Sequence, residues 1–244
     1  MEPLKEGLIK KLNEVQRHHL IRVLRLQKGD PVIVCNGRGK AWRGQLTFAS
    51  PREAAVCLEG SLTVVTEPSL KVYLAQSLLK SDKMDFVIQK AVEIGVAGIV
   101  PFISSRTIKR WHTDQQHKKM DRWKVVIESA AAQSHRSFLP ELFKPVQLEE
   151  LTGMFADVKA RFVCWEKEEE NTFKKALLET HTGDNNLSKA VIAVGPEGGY
   201  SEEEIIYFKS RGWRTVGLGP RILRAETASL VALSISLFQH GDLG

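Results

Sequence analysis

From Lys71 onward the chain alternates between short apolar runs and longer amphipathic stretches. Continuous apolar runs of this length predict strands buried on both faces, and apolar positions three and four residues apart predict helices. The predicted strands cover residues 71–79, 99–103, 161–165, 190–194 and 215–219, and the predicted helices cover 82–94, 118–134, 172–180, 201–211 and 228–240. Such strand–helix alternation predicts the α/β class, with a parallel sheet covered on both faces.

The first part of the chain has a different pattern. A short basic helix is predicted over 15–26, and short strands follow at 32–35, 41–49, 54–58 and 62–65, with a hairpin turn at Asn36-Gly37-Arg38-Gly39. Short, closely spaced strands favour a small barrel. Glu67-Pro68-Ser69 is the predicted linker, so we expect one domain over 1–68 and a second over 69–244.

Two glycine-rich loops follow predicted strands near the end of the chain. Gly195-Pro196-Glu197-Gly198-Gly199 comes after the strand 190–194, and Ser201 with Glu204 forms a capping box that begins a helix. A second loop is predicted over Leu218–Leu223, where the short strand 215–219 ends. At the ends of neighbouring strands, the two loops would face one ligand at the carboxyl edge of the sheet. Neither loop matches the common nucleotide-binding motifs, and from the glycines alone a pair of structural turns is an equally good interpretation.

Composition narrows the class of protein. Of 244 residues, 43% are hydrophobic, which suffices for a core, and no apolar run approaches the ~18 residues of a membrane span. The N-terminus has no apolar signal segment. Cys35, Cys57 and Cys164 are odd in number and far apart, which argues against disulfides and a zinc site and predicts a reducing, cytoplasmic location.

The charge is unevenly distributed. Residues 1–140 hold 23 Lys and Arg against 13 Asp and Glu, whereas residues 141–244 hold 12 against 16. Arg17, Arg22 and Arg25 lie in the predicted basic helix and are candidate RNA-binding residues. The alternative is that these charges only solvate a surface.

The two loops carry a resemblance to a known family. Val194-Gly-Pro-Glu-Gly-Gly-Tyr-Ser and Leu218-Gly-Pro-Arg-Ile-Leu-Arg-Ala-Glu-Thr-Ala resemble the signature loops of the ribosomal RNA small subunit methyltransferase E family, of the SPOUT class. The segments 18–26, 83–96 and 133–136 resemble its other blocks in the same order, so the resemblance covers nearly the whole chain. It implies S-adenosylmethionine-dependent methylation of N3 of one uridine in 16S rRNA. It also implies a PUA-like RNA-binding barrel, a trefoil knot and a homodimer.

The resemblance and the chemistry of the cofactor together suggest a binding site. Adenine needs backbone donors and acceptors in an apolar slot, whose walls we assign to Leu218, Ile222 and Leu223. The predicted cofactor-binding residues are Gly195, Pro196, Glu197, Gly198, Leu218, Gly219, Ile222, Leu223, Thr227 and Ala228. Trp165-Glu166 ends the preceding strand and is a third, less favoured loop.

The candidate catalytic residues are Arg224 and Glu226. Uridine N3 must lose a proton, and a positioned arginine would stabilise the charge that spreads onto O2 and O4. Glu226 would orient Arg224 or act as the base, although a local salt bridge is an equally good interpretation. The family's acidic residue before the Gln133-Ser block is Ala132 here, which puts in doubt a mechanism that needs a carboxylate there.

Other functions stay open at this point. A SPOUT enzyme could act on another RNA such as tRNA, and a non-catalytic RNA-binding protein would also keep the basic barrel. A nucleotide-dependent oxidoreductase should show a G-x-G-x-x-G loop, which this chain lacks.

Overall fold

A computed structural model describes residues 7–50, 52–64, 66–107, 113–181 and 187–244. The chain divides into two compact units. The first contains the residues up to Glu67 together with His135–Leu139, and the second contains Pro68–Ser134 and Pro140–Gly244.

The first unit is built on an antiparallel sheet. Its elements are β1 (Ile9–Lys11), α1 (Glu14–Arg17) followed by a π-helical segment (His18–Val23), β2 (Pro31–Cys35), β3 (Ala41–Ala49) and β4 (Ala54–Leu62). The strand order is β1-β4-β3-β2, and a small core forms around Trp42, Leu46, Val56 and Leu58. The separate strands predicted at 54–58 and 62–65 were wrong, because β4 is one strand that ends at Leu62. Val65 lies outside the described residues.

A distant segment completes the β2–β3 hairpin. The turn closes where Asn36 N donates to Lys40 O at 3.0 Å, as predicted. Residues 135–139 lie along this turn, since Gly39 N donates to Ser137 O and Leu139 N donates to Gly37 O. The buried Arg136 forms an ion pair with Glu67 at 2.6 Å, which holds the segment in the first unit.

The second unit contains a parallel sheet. Its strands are β5 (Lys71–Ser77), β6 (Gly98–Ile103), β7 (Glu141–Leu142), β8 (Val146–Gln147), β9 (Ala160–Cys164), β10 (Lys189–Val194) and β11 (Arg214–Val216). The order is β11-β9-β10-β5-β6-β7, with β8 also paired to β6, and each of these pairings is parallel. The α/β prediction is therefore confirmed.

Helices cover both faces of this sheet. They are α2 (Ser81–Ile94), α3 (Thr113–Gln133), α4 (Leu148–Met154), α5 (Phe173–His181), α6 (Glu202–Ser210) and α7 (Ala225–His240). One core packs α2, α3, α5 and α7 against residues such as Leu74 and Ile192, and the other packs α4 and α6 against Ala75 and Ala193. Successive strand residues thus point into opposite cores, which explains the continuous apolar runs. In the described ranges, no helix is both long and apolar enough to cross a membrane.

Candidate functional site

The site lies at the carboxyl edge of the parallel sheet. Strand β10 ends at Val194 and leads into the first loop, residues 195–201; β11 ends at Val216 and leads into the second loop, residues 217–224. The prediction that these strands are neighbours was wrong, because β9 pairs with both and lies between them. The loop that begins at Trp165 therefore leaves the sheet between the two glycine loops and is more central than the sequence suggested.

The first loop turns tightly over a buried tyrosine. Gly195 and Pro196 are buried, Gly198 is exposed, and Gly199 N donates to Pro196 O at 3.0 Å. A Cβ on Gly195 would lie 3.1 Å from the Tyr200 ring, so the backbone lies close to that ring and a side chain here would be crowded.

The capping box that follows is present as predicted. Ser201 Oγ accepts from Glu204 N at 3.2 Å, and Glu204 Oε2 accepts from Ser201 N at 2.9 Å. The first loop therefore ends at a helix terminus where side chains of the helix itself satisfy the amides of Ser201 and Glu204.

The same glutamate binds a loop that sequence reasoning missed. Glu204 is buried, and its carboxylate also accepts from Ser105 N and Ser105 Oγ, both at 2.9 Å. Arg106 Nη1 donates to Gly198 O at 3.1 Å. The segment that follows β6 is thereby held against the first loop. The only sequence signal was a run of polar residues, Ser104 to Thr107, directly after a buried strand.

The second loop packs tightly against the loop after β9. Gly217 N donates to Asn171 O at 2.9 Å, and a Cβ on Gly217 would lie 2.3 Å from the carbonyl oxygen of Glu168, so no side chain fits. Burial raises the pKa of the Glu168 carboxyl, but hydrogen bonds from Thr215 and the amides of Asn171 and Glu170 outweigh it and leave the pKa below its ordinary value. Glu168 is thus a carboxylate that braces the second loop.

The proposed walls of the apolar slot are not equivalent. Leu218 and Leu223 are half-buried and pack against the larger core, whereas Ile222 is 85% exposed. Gly219, between them in the chain, has φ +111° and open space where a Cβ would stand. The structure thus leaves bare backbone beside two half-buried leucines.

Helix α7 begins directly after the second loop. Arg224 is its N-cap residue and is exposed, Thr227 is exposed, and Ala228 is buried in the core. Among the described residues, Glu226 forms no ion pair with Arg224. It faces Lys83 of α2, whose Nζ lies 3.4 Å from Glu226 Oε2 and 3.5 Å from Glu197 Oε1 of the first loop.

The cysteine at this edge of the sheet, Cys164, is not a candidate nucleophile. Cys164 ends β9 and is buried, and burial raises the pKa of its thiol to about 12, so the thiol is protonated at neutral pH.

Comparison with known proteins identifies the family. A family model described as RNA methyltransferase domain matches residues 66–237, and one described as RNA methyltransferase PUA domain matches residues 12–57. A ribosomal RNA small subunit methyltransferase E of Bacillus subtilis is 31% identical over 222 residues, which are 91% of this chain and 87% of that protein. The chain belongs to the ribosomal RNA small subunit methyltransferase E family. A second member, from Synechocystis, is 33% identical over 91% of this chain and 71% of its own length.

Solved structures agree with membership of the methyltransferase E family. A ribosomal RNA small subunit methyltransferase E from Neisseria gonorrhoeae, bound to S-adenosyl methionine, superposes with a TM-score of 0.84 at 30% identity. The match covers 98% of this chain and 94% of that chain. A Legionella pneumophila protein with bound SAM superposes with a TM-score of 0.88 at 29% identity, over 98% and 95% of the two chains.

The candidate RNA-binding arginines of this methyltransferase E chain differ in their surroundings. Arg17 is half-buried and its Nη1 donates to Arg52 O at 3.0 Å. Arg17 and Arg22 line one depression of about 210 Å³ with Glu14, His18 and Ile21. Arg25 is exposed, has φ +57° and does not line it. The helix predicted over 15–26 is thus α1 and its π-helical continuation, which ends before Arg25.

One further residue at the carboxyl edge was missed by the sequence analysis. Gln76, near the end of β5, is fully buried; its Nε2 donates to Ser77 O at 3.0 Å and lies 3.5 Å from Val194 O and Gly195 O. Its Oε1 accepts from Ser229 Oγ of α7. Gln76 thereby joins β5, the first loop and α7. A polar residue inside an apolar strand was the available signal.

Proposed function

We propose that the protein is an S-adenosylmethionine-dependent methyltransferase that methylates N3 of one uridine in 16S rRNA of the small ribosomal subunit. The observation that carries the proposal is membership of the methyltransferase E family over nearly the whole chain, with both loops of the site intact. N3 of uridine as the acceptor rests on the family resemblance.

The residues of the carboxyl edge fit this cofactor. Backbone without side chains at Gly198 and Gly219 leaves room for close approach, and Leu218 with Leu223 provides apolar surface. The loops carry no phosphate-binding lysine motif, as suits a cofactor without phosphate. We assign cofactor contacts to residues 195–198, 218–219, 222–223 and 227–228 of the two loops and the start of α7.

The chain's own task is to position the reactants and to manage one proton. S-adenosylmethionine supplies an electrophilic methyl group on its sulfonium sulfur. Transfer of that methyl group to N3 by in-line displacement would break the carbon–sulfur bond and leave S-adenosylhomocysteine, so the chain's residues would act mostly by orienting the two reactants. The N3 proton would pass to a base as the bond forms, and Glu226 is the candidate acceptor. We assign Arg224, exposed at the N-cap of α7, to stabilise the charge that develops on the uracil oxygens.

We expect a cytoplasmic homodimer. The dimer rests on the family resemblance, and we assign Phe238 of α7, which is 66% exposed, to the contact between subunits. Light scattering of the purified protein tests the dimer, and a monomeric mass at micromolar concentration would exclude it.

The test of function is methyl transfer onto defined RNA. The protein is incubated with methyl-labelled S-adenosylmethionine and small ribosomal subunits from a strain that lacks the activity, and the labelled nucleotide is mapped by mass spectrometry. We expect one N3-methyluridine in 16S rRNA. Label in tRNA alone would move the enzyme to another substrate, and no label on any RNA would exclude methyl transfer.

A further inference from the structure

Three charged side chains from three different segments meet beside the candidate site. Lys83 projects from the first turns of α2, Glu197 from the first loop and Glu226 from the start of α7, just after the second loop. Lys83 Nζ lies 3.5 Å from Glu197 Oε1 and 3.4 Å from Glu226 Oε2. The side chains are 28%, 18% and 15% exposed respectively, so water screens them only partly.

The two carboxylates depend on this lysine. Within the described part of the chain, Glu197 Oε1 and Glu226 Oε2 are buried atoms that accept no hydrogen bond. Two carboxylates that face one nitrogen lie close to each other, and like charges at short range repel when no cation separates them. The ammonium of Lys83 is therefore what allows the first loop and the start of α7 to keep their carboxylates at this position.

We propose that Lys83 is a positioning residue that holds the two loops of the cofactor site together through Glu197 and Glu226. The inference rests on the proposed function, because it assigns the loops to S-adenosylmethionine. Lys83 itself need not touch the cofactor. It acts through the two glutamates, each of which belongs to a segment that we assign to the cofactor site.

Charge counting gives a specific expectation. The cluster has one positive and two negative groups, so its net charge in the parent protein is −1. The Lys83→Met variant has a cluster charge of −2. The double variant with Lys83→Met and Glu197→Gln has the parent's value of −1 again. Lys83→Met should weaken S-adenosylmethionine binding by at least about tenfold, equivalent to about 1.4 kcal/mol. In the Glu197→Gln background, the same lysine change should cost no more than about threefold.

The experiment is a double-mutant cycle read by titration calorimetry with S-adenosylmethionine. Lys90→Met is the matched control, since Lys90 lies on the same helix and, among the residues that the structure describes, forms its ion pair with the neighbouring Glu93. Lys83→Arg should bind nearly as well as the parent because it keeps the charge. A purely structural effect of losing the lysine stem would appear equally in both backgrounds, so the cycle separates it from charge.

The outcomes distinguish the inference from the proposed function. Failure of the parent protein to bind S-adenosylmethionine would overturn the proposed function itself. If the parent binds, the inference is overturned when Lys83→Met binds within twofold of the parent, or when it costs the same factor in both backgrounds. Should Lys83→Met fail to fold, the double variant decides: binding close to that of Glu197→Gln supports the inference, and lost folding or binding contradicts it.

Discussion

Arg224 occupies a position that helix energetics disfavour. N-cap positions favour Ser, Thr, Asp or Asn, whose side chains accept a hydrogen bond from the first turn, and the positive end of the helix dipole repels a cation. Arg224 is the N-cap residue of α7, has extended backbone angles and provides no side-chain cap. A residue that breaks a local rule without a compensating contact is often retained for function. Its exposed guanidinium is therefore available to a substrate.

Arg224→Lys should separate chemistry from binding. Positive charge is kept, so affinity for RNA and for S-adenosylmethionine should change little. Single-turnover methyl transfer with both ligands saturating should fall about a hundredfold, or about 3 kcal/mol, because an ammonium cannot reproduce the planar fork of the guanidinium. Arg221→Lys, an exposed arginine of the same loop, is the control. A rate within about twofold of the parent would remove Arg224 from the chemistry.

At the scale of elements, Glu204 connects three pieces of the carboxyl edge. It caps α6 through Ser201 N and holds the loop after β6 through the amide and hydroxyl of Ser105. The capping box was predictable, because its two residues lie three positions apart in the sequence. The link to Ser105 was not, since it joins residues 99 positions apart.

Glu204→Ala should destabilise the second unit by about 2–3 kcal/mol. The change removes the side-chain half of the capping box, in which Glu204 Oε2 accepts from Ser201 N, and both hydrogen bonds from the exposed Ser105. Each of these hydrogen bonds contributes about 1 kcal/mol. Chemical denaturation measures the loss. Glu202→Ala on the same turn breaks an exposed ion pair with Lys167 and should stay within about 0.5 kcal/mol of the parent. Equal midpoints for the two variants would show that the link to Ser105 contributes nothing.

Local patterns predicted most elements but not their arrangement. Apolar runs located β5, β6, β9 and β10 within two residues at each end, the strand predicted over 215–219 ends three residues earlier as β11, and Gly95 ends α2 as predicted. The two-residue strands β7 and β8 and the short helix α4 were missed because so few residues carry no measurable period. The position of β9 between β10 and β11 depends on contacts between segments distant in sequence, which periodicity does not record.

The same limit applied to the site. The glycine loops were found from residue type alone, whereas Lys83, Ser105 and Gln76 entered only through the fold, because each lies more than 90 residues from the loop residue that it contacts.

At the scale of the whole molecule, the C-terminus is fixed to the start of the second unit. Asp242 accepts hydrogen bonds from Ser69 N, Ser69 Oγ and Leu70 N at 2.8–2.9 Å, just before β5 begins. Partial burial raises the pKa of the Asp242 carboxyl, but these hydrogen bonds and nearby His240 outweigh it and leave the pKa below its ordinary value. The contact closes the second unit across 173 positions of sequence.

Asp242→Asn should lower stability in a pH-dependent way. Because the folded-state pKa is depressed, the carboxylate stabilises the fold above its unfolded-state pKa of about 4, and this contribution is lost as the pH falls through the folded-state value. We expect a loss of about 1–2 kcal/mol at pH 7 that shrinks below pH ~4. Thermal unfolding across pH measures it, with the exposed Asp157→Asn as control. A difference independent of pH would mean that ionisation is not the cause.

We expect the first unit to bind RNA and the second to bind the cofactor, and the basic arginines of the first unit test this expectation. Replacing Arg17, Arg22 and Arg25 with Gln removes three positive charges from α1, its π-helical continuation and the residues after it. If they contact phosphates, 16S rRNA binding should weaken and the slope of log affinity against log salt should become shallower by about 2, since each neutralised phosphate contributes about 0.7–0.9. Affinity for S-adenosylmethionine should not change, because the predicted cofactor residues all lie in the second unit.

The control for net charge is a triple variant of the second unit. Replacing the exposed Lys144, Lys174 and Lys175 with Gln removes the same formal charge. Equal slopes for the two triple variants would mean that the arginines are solvated rather than bound to RNA. Arg17 also donates a hydrogen bond to Arg52 O, so the stability of the Arg17→Gln variant must be measured separately. If the double variant Arg22→Gln/Arg25→Gln keeps the salt slope of the parent, the whole effect of the triple variant comes from Arg17.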